Sequence, residues 1–264
     1  MSLPRFFLDE QIVGDEVEPC FELRLNAEDA KHAKVLRLRA GEHIAVVDAS
    51  HDYFECRIEE FAGSLPVVSI SQHLRTAPRP YLALCQGLAK GDKMDTVIRH
   101  ATELGVSAFI PLACERSVLK LDPKKADRKI ERWQTIAKSA AMQSGQPSLP
   151  EVKSPLTVKQ SIDELSNYDK VLIAWEEAPQ TCGIRQALAD LPAGSNDPDD
   201  NISRIAVIVG PEGGLSQGEV DFLLNALPQA CLVSLGPSIL RTETAGIVAP
   251  ALVLYELGCL GDLS

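Results

Sequence analysis

The sequence lacks the cysteine spacing of a zinc site or a disulfide framework. Its seven cysteines are odd in number, scattered, and never spaced C-x-x-C. His43, His51 and Cys56 lie near one another in the chain, but not at the spacing of metal ligands. We therefore expect reduced core cysteines and no metal site.

Long apolar runs are missing as well. The most apolar late segment, residues 245–260, contains Pro250 and Glu256 and falls short of the roughly 20 residues that a membrane span needs. Residues 1–7 contain no apolar stretch of the kind found in a signal peptide. The sequence therefore predicts a cytoplasmic protein without a membrane span, in which residues 245–260 belong to a buried helix.

Basic residues are fewer than acidic ones, with 26 Lys and Arg against 37 Asp and Glu and a formal net charge of −11. Residues 79–138 are the exception, with 12 basic and 7 acidic side chains. Phosphate binding depends on the local density of Lys and Arg, so an acidic protein with one basic segment is able to hold RNA. Composition alone favours the simpler interpretation, a solvated helix face.

Residues 1–76 show short β patterns. The candidate strands are 5–8, 43–48, 53–61 and 67–74, and a helix begins after Asn26. Several short, closely spaced strands are typical of a small barrel. Pro78 and Pro80 form a stiff boundary, so the predicted domains are 1–76 and 77–264.

From Tyr81 onwards, strands alternate with helices, which predicts an α/β fold with a parallel sheet covered on both faces. The predicted strands are 81–86, 108–112, 170–174, 204–209 and 230–235. The predicted helices are 92–104, 124–143, 184–191, 217–226 and 242–260.

Three loops follow strands of this predicted sheet, at the edge where open α/β sheets bind ligands. They are residues 174–177, 210–214 and 235–241. Residues 210–214 form neither a Walker A loop nor a dinucleotide fingerprint, and they fit an ordinary turn and a ligand contact equally well. Their three glycines leave backbone groups open to a flat, polar ligand.

Arg241, Thr242 and Glu243 open the last predicted helix. Thr242 is able to cap that helix, and Glu243 suits its positive N-terminal end. Arg241 does not, because a cation just before a helix N-terminus meets an unfavourable dipole. Arg241 is therefore a functional candidate, and a structural ion pair with Glu212 or Glu243 is the alternative.

These residues resemble the SPOUT superfamily of methyltransferases, and most closely the family that methylates N3 of a uridine in bacterial small-subunit ribosomal RNA. The motifs that match lie at residues 5–7, 32–38, 90–95, 103–106, 115–117, 143–145, 210–214 and 240–245. Each motif is short, and the resemblance depends on their shared order and spacing from residue 5 to residue 245. The chain departs from the family pattern at Met142, Gln146 and Ser238. If the charged residues that are usual at these positions help to hold RNA, this protein contacts RNA differently.

The resemblance implies a PUA-like β-barrel at residues 1–76 and a SPOUT domain with a C-terminal deep trefoil knot at residues 77–264. It also implies a homodimer that uses S-adenosylmethionine to methylate ribosomal RNA of the small subunit or of an assembly intermediate. General topology rules argue against knots, so the knot depends on the resemblance alone.

The resemblance further implies which residues bind the cofactor. Backbone groups between Leu235 and Ala245 hold the adenine, and Glu176 with residues 210–214 borders the ribose and methionine parts. The full predicted set is Ala174, Glu176, Val209, Gly210, Glu212, Gly213, Gly214, Leu235, Gly236, Ile239, Leu240, Thr242 and Ala245.

Methylation of uridine N3 requires the loss of the N3 proton. Arg241 is the candidate for stabilising the resulting anionic base, and Glu243 and Glu212 are the candidate proton acceptors. The candidate RNA contacts are Arg5, His32, Lys34, Arg37, Arg39, Lys90, Lys93, Arg116, Lys124, Lys125, Arg128, Lys129 and Arg132.

Two other functions stay open. A ribose 2′-O-methyltransferase of the same superfamily would leave its methyl group on the sugar, which mass analysis of the nucleoside distinguishes. A non-catalytic RNA-binding or assembly factor would need only the barrel and the basic segment. Such a factor would not bind S-adenosylmethionine.

Overall fold

The computed structural model describes residues 3–12, 20–74, 79–119, 123–179, 182–191 and 202–261. The chain divides into two compact units, one of Met1–Thr76 with Ala141–Leu149 and one of Ala77–Ala140 with Pro150–Ser264. The predicted boundary at residues 76 and 77 lies outside the described residues. Within those residues, no helix is long and apolar enough to cross a membrane, and no group of His, Cys, Asp or Glu is arranged to hold a metal ion.

The N-terminal unit is built on a five-stranded sheet. Its elements are β1 (Arg5–Phe7), β2 (Phe21–Glu22), α1 (Ala27–Leu36), β3 (His43–Val47), β4 (Tyr53–Ala62) and β5 (Leu65–Leu74). The strand order is β1-β3-β4-β5-β2, with β1 parallel to β3 and the other neighbours antiparallel. Among the described residues no pairing joins β1 to β2, so closure into a barrel stays a prediction.

A segment from later in the chain completes the core of this unit. Cys56 and Ile58 alternate with outward residues of β4 and are fully buried. They belong to a cluster against which Met142 packs, and Ala141 packs in a second cluster with Phe7. No pattern in the sequence had predicted this return of the chain to the N-terminal unit.

The second unit contains a parallel sheet. Its strands are β6 (Tyr81–Gly87), β7 (Ala108–Ala113), β8 (Glu151–Val152), β9 (Leu156–Thr157), β10 (Lys170–Ala174), β11 (Arg204–Val209) and β12 (Ala230–Val233). Their order is β12-β10-β11-β6-β7-β8, and β9 also pairs with β7. The helices after α1 are α2 (Lys93–Leu104), α3 (Pro123–Ser144), α4 (Ser161–Leu165), α5 (Ile184–Leu188), α6 (Gln217–Ala226) and α7 (Thr242–Glu256). The predicted α/β class with a parallel sheet is confirmed.

Continuous apolar runs place this sheet between two layers of helices. β6, β10 and β11 are buried along almost their whole length, as parallel strands covered on both faces must be. One face packs against α2, α3, α5 and α7, and the other packs against α4 and α6. Because β10, β11 and β12 are parallel, the three predicted ligand loops leave the same edge of the sheet.

Most predicted elements lie within a few residues of the observed ones. The last helix ends at Glu256 instead of Leu260, and β12 ends at Val233 instead of Leu235. The sequence did not predict β2, β8, β9 or α4, because elements of two to five residues are too short to show a period.

Candidate active site

A cleft of about 520 Å³ opens at the carboxyl edge of the parallel sheet. The loops that follow β10, β11 and β12 form its walls. Its volume lies within the range of about 300–1,000 Å³ that is usual for cofactor sites. The three loops that the sequence singled out therefore meet around one cleft.

Every residue of the predicted cofactor set lines this cleft. They are Ala174, Glu176, Val209, Gly210, Glu212, Gly213, Gly214, Leu235, Gly236, Ile239, Leu240, Thr242 and Ala245. Arg241 also lines the cleft, whereas Glu243 does not. The lining also includes residues outside the predicted cofactor set. Trp175, Pro211, Pro237 and Ser238 lie in the three predicted loops, and Ala178 and Ser234 lie beside them.

Two glycines shape the loop after β11. A Cβ on Gly210 would lie 2.9 Å from backbone atoms of Gly214 and Leu215, so a larger residue would open this turn. Gly214 has a φ of +69°, and a Cβ there would overlap the carboxylate of Glu176. Glycine adopts such a φ readily because it has no side chain. The two positions allow a tight turn and a close approach of Glu176 to the backbone.

Arg116 holds the same loop. Its Nη1 donates hydrogen bonds to the carbonyl oxygens of Gly213, at 3.1 Å, and Leu215, at 3.3 Å. Hydrogen bonds from a charged donor are stronger than neutral ones. Arg116 thus supports the wall of the cleft, and its predicted contact with RNA stays a prediction.

Thr242 links this loop to the start of α7. Its hydroxyl donates to the carbonyl oxygen of Gly210 at 2.6 Å and accepts from Gln86 Nε2 at 2.8 Å. The prediction that Thr242 caps α7 is wrong, because Arg241 occupies the N-cap position and Thr242 is the first helical residue. The hydroxyl instead connects the start of α7 to Gly210 and Gln86.

Gln86 is a site residue that the sequence did not reveal. It is 1% exposed and lies at the end of β6, beneath the loops of the cleft. Its partners Gly210 and Thr242 are 124 and 156 residues away in the chain. A Cβ on Gly246 would collide with Gln86 Oε1, so α7 approaches the amide closely only because position 246 is glycine.

Lys93 bridges two acids beside the cleft. Its Nζ lies 3.3 Å from Glu212 Oε1 and 3.4 Å from Glu243 Oε2. Lys93 also lines the cleft and is only 27% exposed. Lys93 is therefore engaged by two carboxylates in the structure, and its predicted contact with RNA stays a prediction.

Glu212 is held as an anion. Burial by itself raises the pKa of this carboxyl, but hydrogen bonds from its own backbone N–H and from that of Lys90, together with Lys93, lower its pKa below the ordinary value. The Lys90 N–H donates to Glu212 Oε1 at 3.0 Å. A carboxylate with a lowered pKa is a poor proton acceptor, so the structure argues against Glu212 as a general base.

Arg241 precedes α7 with an extended backbone, at φ −64° and ψ 152°. Its side chain is exposed at the cleft and has no hydrogen bond or ion pair with any described residue. The alternative, an ion pair of Arg241 with Glu212 or Glu243, is not seen in the structure, where both acids pair with Lys93. The guanidinium is therefore available to a ligand.

The N-terminal basic residues differ in their accessibility. Exposed on α1 and in the turn after it are His32, Lys34, Arg37 and Arg39. The prediction for Arg5 is corrected, because this side chain is buried and donates to the Gly145 carbonyl oxygen and the Tyr53 hydroxyl. Arg5 therefore holds its own unit together and is not free to contact phosphate.

The basic segment of α3 is partly engaged. Arg132 pairs with Asp95, and the Lys129 ammonium lies 5.7 Å from the centre of the Trp133 ring. Arg128 and, before α2, Lys90 are exposed. The side chains of Lys124 and Lys125 lie outside the described part of the chain.

Comparisons with known proteins identify the family. Residues 76–254 match the family model of the RNA methyltransferase domain. The ribosomal RNA small subunit methyltransferase E of Bacillus subtilis is 34% identical over 271 residues, which cover 98% of this chain and 100% of that protein. The chain belongs to this family of RNA methyltransferases.

Two solved structures are similar to this chain over almost its whole length. A ribosomal RNA small subunit methyltransferase E from Neisseria gonorrhoeae, bound to S-adenosyl methionine, has a TM-score of 0.75 and 26% identity and covers 96% of this chain and 97% of its own. A putative methyltransferase from Legionella pneumophila, in complex with the cofactor SAM, has a TM-score of 0.75 and 27% identity, with coverage of 97% and 98%. The whole lining of the cleft falls within the matched RNA methyltransferase domain.

Proposed function

We propose that this RNA methyltransferase transfers the methyl group of S-adenosylmethionine to N3 of a uridine in small-subunit ribosomal RNA. The name of the Bacillus subtilis relative supports the RNA substrate, and two similar structures hold the cofactor. The observation that carries the proposal is the unpaired guanidinium of Arg241 at the wall of a cofactor-sized cleft.

The cleft suits S-adenosylmethionine in its chemistry. Leu235, Leu240 and Ala245 offer apolar surface to the adenine, while the exposed Glu176 carboxylate is an acceptor for ribose hydroxyls. Once bound, the cofactor supplies an electrophilic methyl carbon. Because an in-line displacement requires the two reactants to be aligned, residues that fix their positions contribute much of the acceleration.

Arg241 is proposed to bind the uridine in its reactive form. N3 becomes nucleophilic when it loses its proton, and the base then carries a negative charge. A guanidinium without a protein partner stabilises that charge through its N–H donors. Glu212 has a lowered pKa and Glu243 is paired with Lys93, so we assign the proton to neither acid.

Nucleoside mass spectrometry tests this function. Ribosomal RNA from cells without the protein should lack 3-methyluridine, and the purified protein should restore it. Arg241→Ala should abolish turnover while it changes cofactor affinity by about twofold or less. A methyl group on ribose O2′ would assign the other methylation chemistry, and calorimetry without cofactor binding would assign a non-catalytic RNA-binding factor.

We propose two finer features of the fold, a PUA-like barrel in the N-terminal unit and a deep trefoil knot in the second unit. The antiparallel strands β3, β4 and β5 support the barrel. The bonds of Thr242 to Gly210 and Gln86 support the knot, because they gather three distant segments. A crystal structure that traces residues 1–264 tests both features.

We also propose that the protein acts as a homodimer in the cytoplasm. α7 is strongly apolar, yet Leu252 and Tyr255 remain exposed on it. A second copy that covers these side chains removes apolar surface from water. Light scattering should give twice the mass of the chain for the wild type and the mass of one chain for Leu252→Asp with Tyr255→Asp.

A further inference from the structure

Lys93 engages two carboxylates, one on the wall of the cleft that Arg241 lines and one that follows Arg241 in the chain. Glu212 lines the same cleft as Arg241, and Glu243 follows Arg241 by two residues in the first turn of α7. The side chains of Lys93, Glu212 and Glu243 are 27%, 19% and 22% exposed. Their charges therefore interact more strongly than those of a fully solvated pair.

The two acids have unused capacity to accept hydrogen bonds. Glu212 Oε2 and Glu243 Oε2 are buried and accept no hydrogen bond from a described residue, although Lys93 Nζ lies 3.4 Å from Glu243 Oε2. An arginine suits such acceptors well, because its planar fork pairs with a carboxylate through two N–H groups. If Lys93 did not hold these acids, an ion pair with Arg241 would be the favoured arrangement.

We infer that Lys93 is a positioning residue for methyl transfer, because it holds Glu212 and Glu243 and thereby keeps Arg241 unpaired for the uridine. The inference depends on the role of Arg241 in the proposed function. An ammonium is a compact charge with three donors, so it is able to bridge two carboxylates at once. Lys93 acts through other side chains and needs no contact with the reacting atoms.

Glu243 is the stronger competitor for Arg241. Glu212 is anchored by the backbone N–H of Lys90, at 3.0 Å, and by its own backbone N–H. Among the described residues, Glu243 has an ion pair with Lys93 and no backbone donor for its carboxylate. Loss of Lys93 therefore releases Glu243 more than Glu212.

Four variants of the full-length protein test the inference. Lys93→Met should lower kcat about tenfold or more, while the KM for S-adenosylmethionine stays within about twofold. Lys93→Arg, which keeps the charge, should retain most of the rate. Lys93→Met with Glu243→Gln should recover most of the lost rate, and the matched variant Lys93→Met with Glu212→Gln should recover less.

A crystal structure of Lys93→Met gives a reading that is independent of activity. We expect Arg241 to lie within about 4 Å of a carboxylate oxygen of Glu243 or Glu212, the usual limit for an ion pair. An unpaired Arg241 in that structure overturns the inference. A Glu243→Gln double variant no faster than Lys93→Met overturns it as well, and a slower one assigns Glu243 a direct part in the reaction.

Arg241→Ala separates this inference from the proposed function. Normal turnover in Arg241→Ala refutes the proposed role of Arg241. An inactive Arg241→Ala together with a fully active Lys93→Met refutes only the inference about Lys93. If Lys93→Met does not fold, its Glu243→Gln double variant decides: turnover close to that of the wild type supports the inference, and a folded but inactive protein overturns it.

Discussion

The hydroxyl of Thr242 donates a 2.6 Å hydrogen bond to the carbonyl oxygen of Gly210. The same hydroxyl accepts a 2.8 Å hydrogen bond from the buried amide of Gln86. These bonds join β6, the loop after β11 and the start of α7 in one polar chain. The shape of the cleft therefore depends on groups that lie beneath its loops as well as on those that line it.

Thr242→Val should damage this polar chain while it keeps the shape of the side chain. Gln86 and Gly210 would lose a partner, and an unpaired buried polar group costs about 1–3 kcal/mol. We expect the free energy of unfolding to fall by about that amount, together with the affinity for S-adenosylmethionine. Denaturant titration and calorimetry measure both, with Thr242→Ser as the control; equal stability of the two variants would contradict the prediction.

Gly214→Ala should weaken cofactor binding, because position 214 has a φ of +69° and its Cβ would displace the carboxylate of Glu176 in the cleft. The left-handed backbone alone costs a residue with a side chain about 1–2 kcal/mol. Gly218→Ala in α6 is the matched control, since its nearest neighbour would be Ser216 Oγ at 3.9 Å. That control should gain about 0.5–1 kcal/mol in stability and bind the cofactor normally. Equal cofactor affinity of Gly214→Ala and Gly218→Ala, measured by calorimetry, would contradict the prediction.

Glu212 should make the stability of the protein depend on pH in acid. Its pKa in the folded protein is lowered from the ordinary value of 4.5. A group of this kind stabilises the folded state above its unfolded pKa, and the stabilisation is lost as pH falls through the folded pKa. The difference in free energy of unfolding between the wild type and Glu212→Gln should therefore shrink as pH falls below 4.5. Denaturant titrations across pH test this sign, and a difference that grows in acid would reverse it.

The exposed basic residues of α1 and its following turn should contribute to RNA affinity through phosphate contacts. Lys34→Gln, Arg37→Gln and Arg39→Gln together should weaken binding and make the slope of log affinity against log salt shallower by about 2, at about 0.7 for each single-stranded phosphate contact. Arg24→Gln with Arg57→Gln is the control, because both arginines are paired with nearby acids in the same unit. Fluorescence anisotropy at several salt concentrations gives the slopes. Identical slopes for the two variants would show that the basic residues of α1 and its following turn make no phosphate contacts.

Strong local patterns made much of the fold predictable. β10, β11 and α6 begin and end where the sequence placed them. β10 and β11 are apolar runs that parallel strands require. α6 begins after Ser216, whose hydroxyl accepts from the Glu219 N–H while the Glu219 carboxylate accepts from the Ser216 N–H. The position of the three loops followed from the strands, because ligand sites lie at the carboxyl ends of parallel strands.

Residues whose partners lie far away in the chain could not be assigned in this way. Thr242 is a residue type that often caps helices, but its hydroxyl accepts a hydrogen bond from Gln86, 156 residues earlier in the chain. Lys93 lies in a basic segment, yet it pairs with Glu212 in the loop after β11 and with Glu243 in the first turn of α7. Arg5 resembles a surface arginine, but strand pairing buries it beside Gly145. In each case a tertiary contact overrides a reasonable local preference.

The chain returns to the N-terminal unit through Ala141–Leu149, and this return has a consequence for biosynthesis. A ribosome releases residues 1–76 well before it makes Ala141, which packs with Phe7 in that unit. The core of the N-terminal unit therefore lacks the contacts of Ala141 until after the first strands of the other unit have been synthesised. No single cut in the chain yields two complete pieces, and completion of the first unit is tied to synthesis of the second.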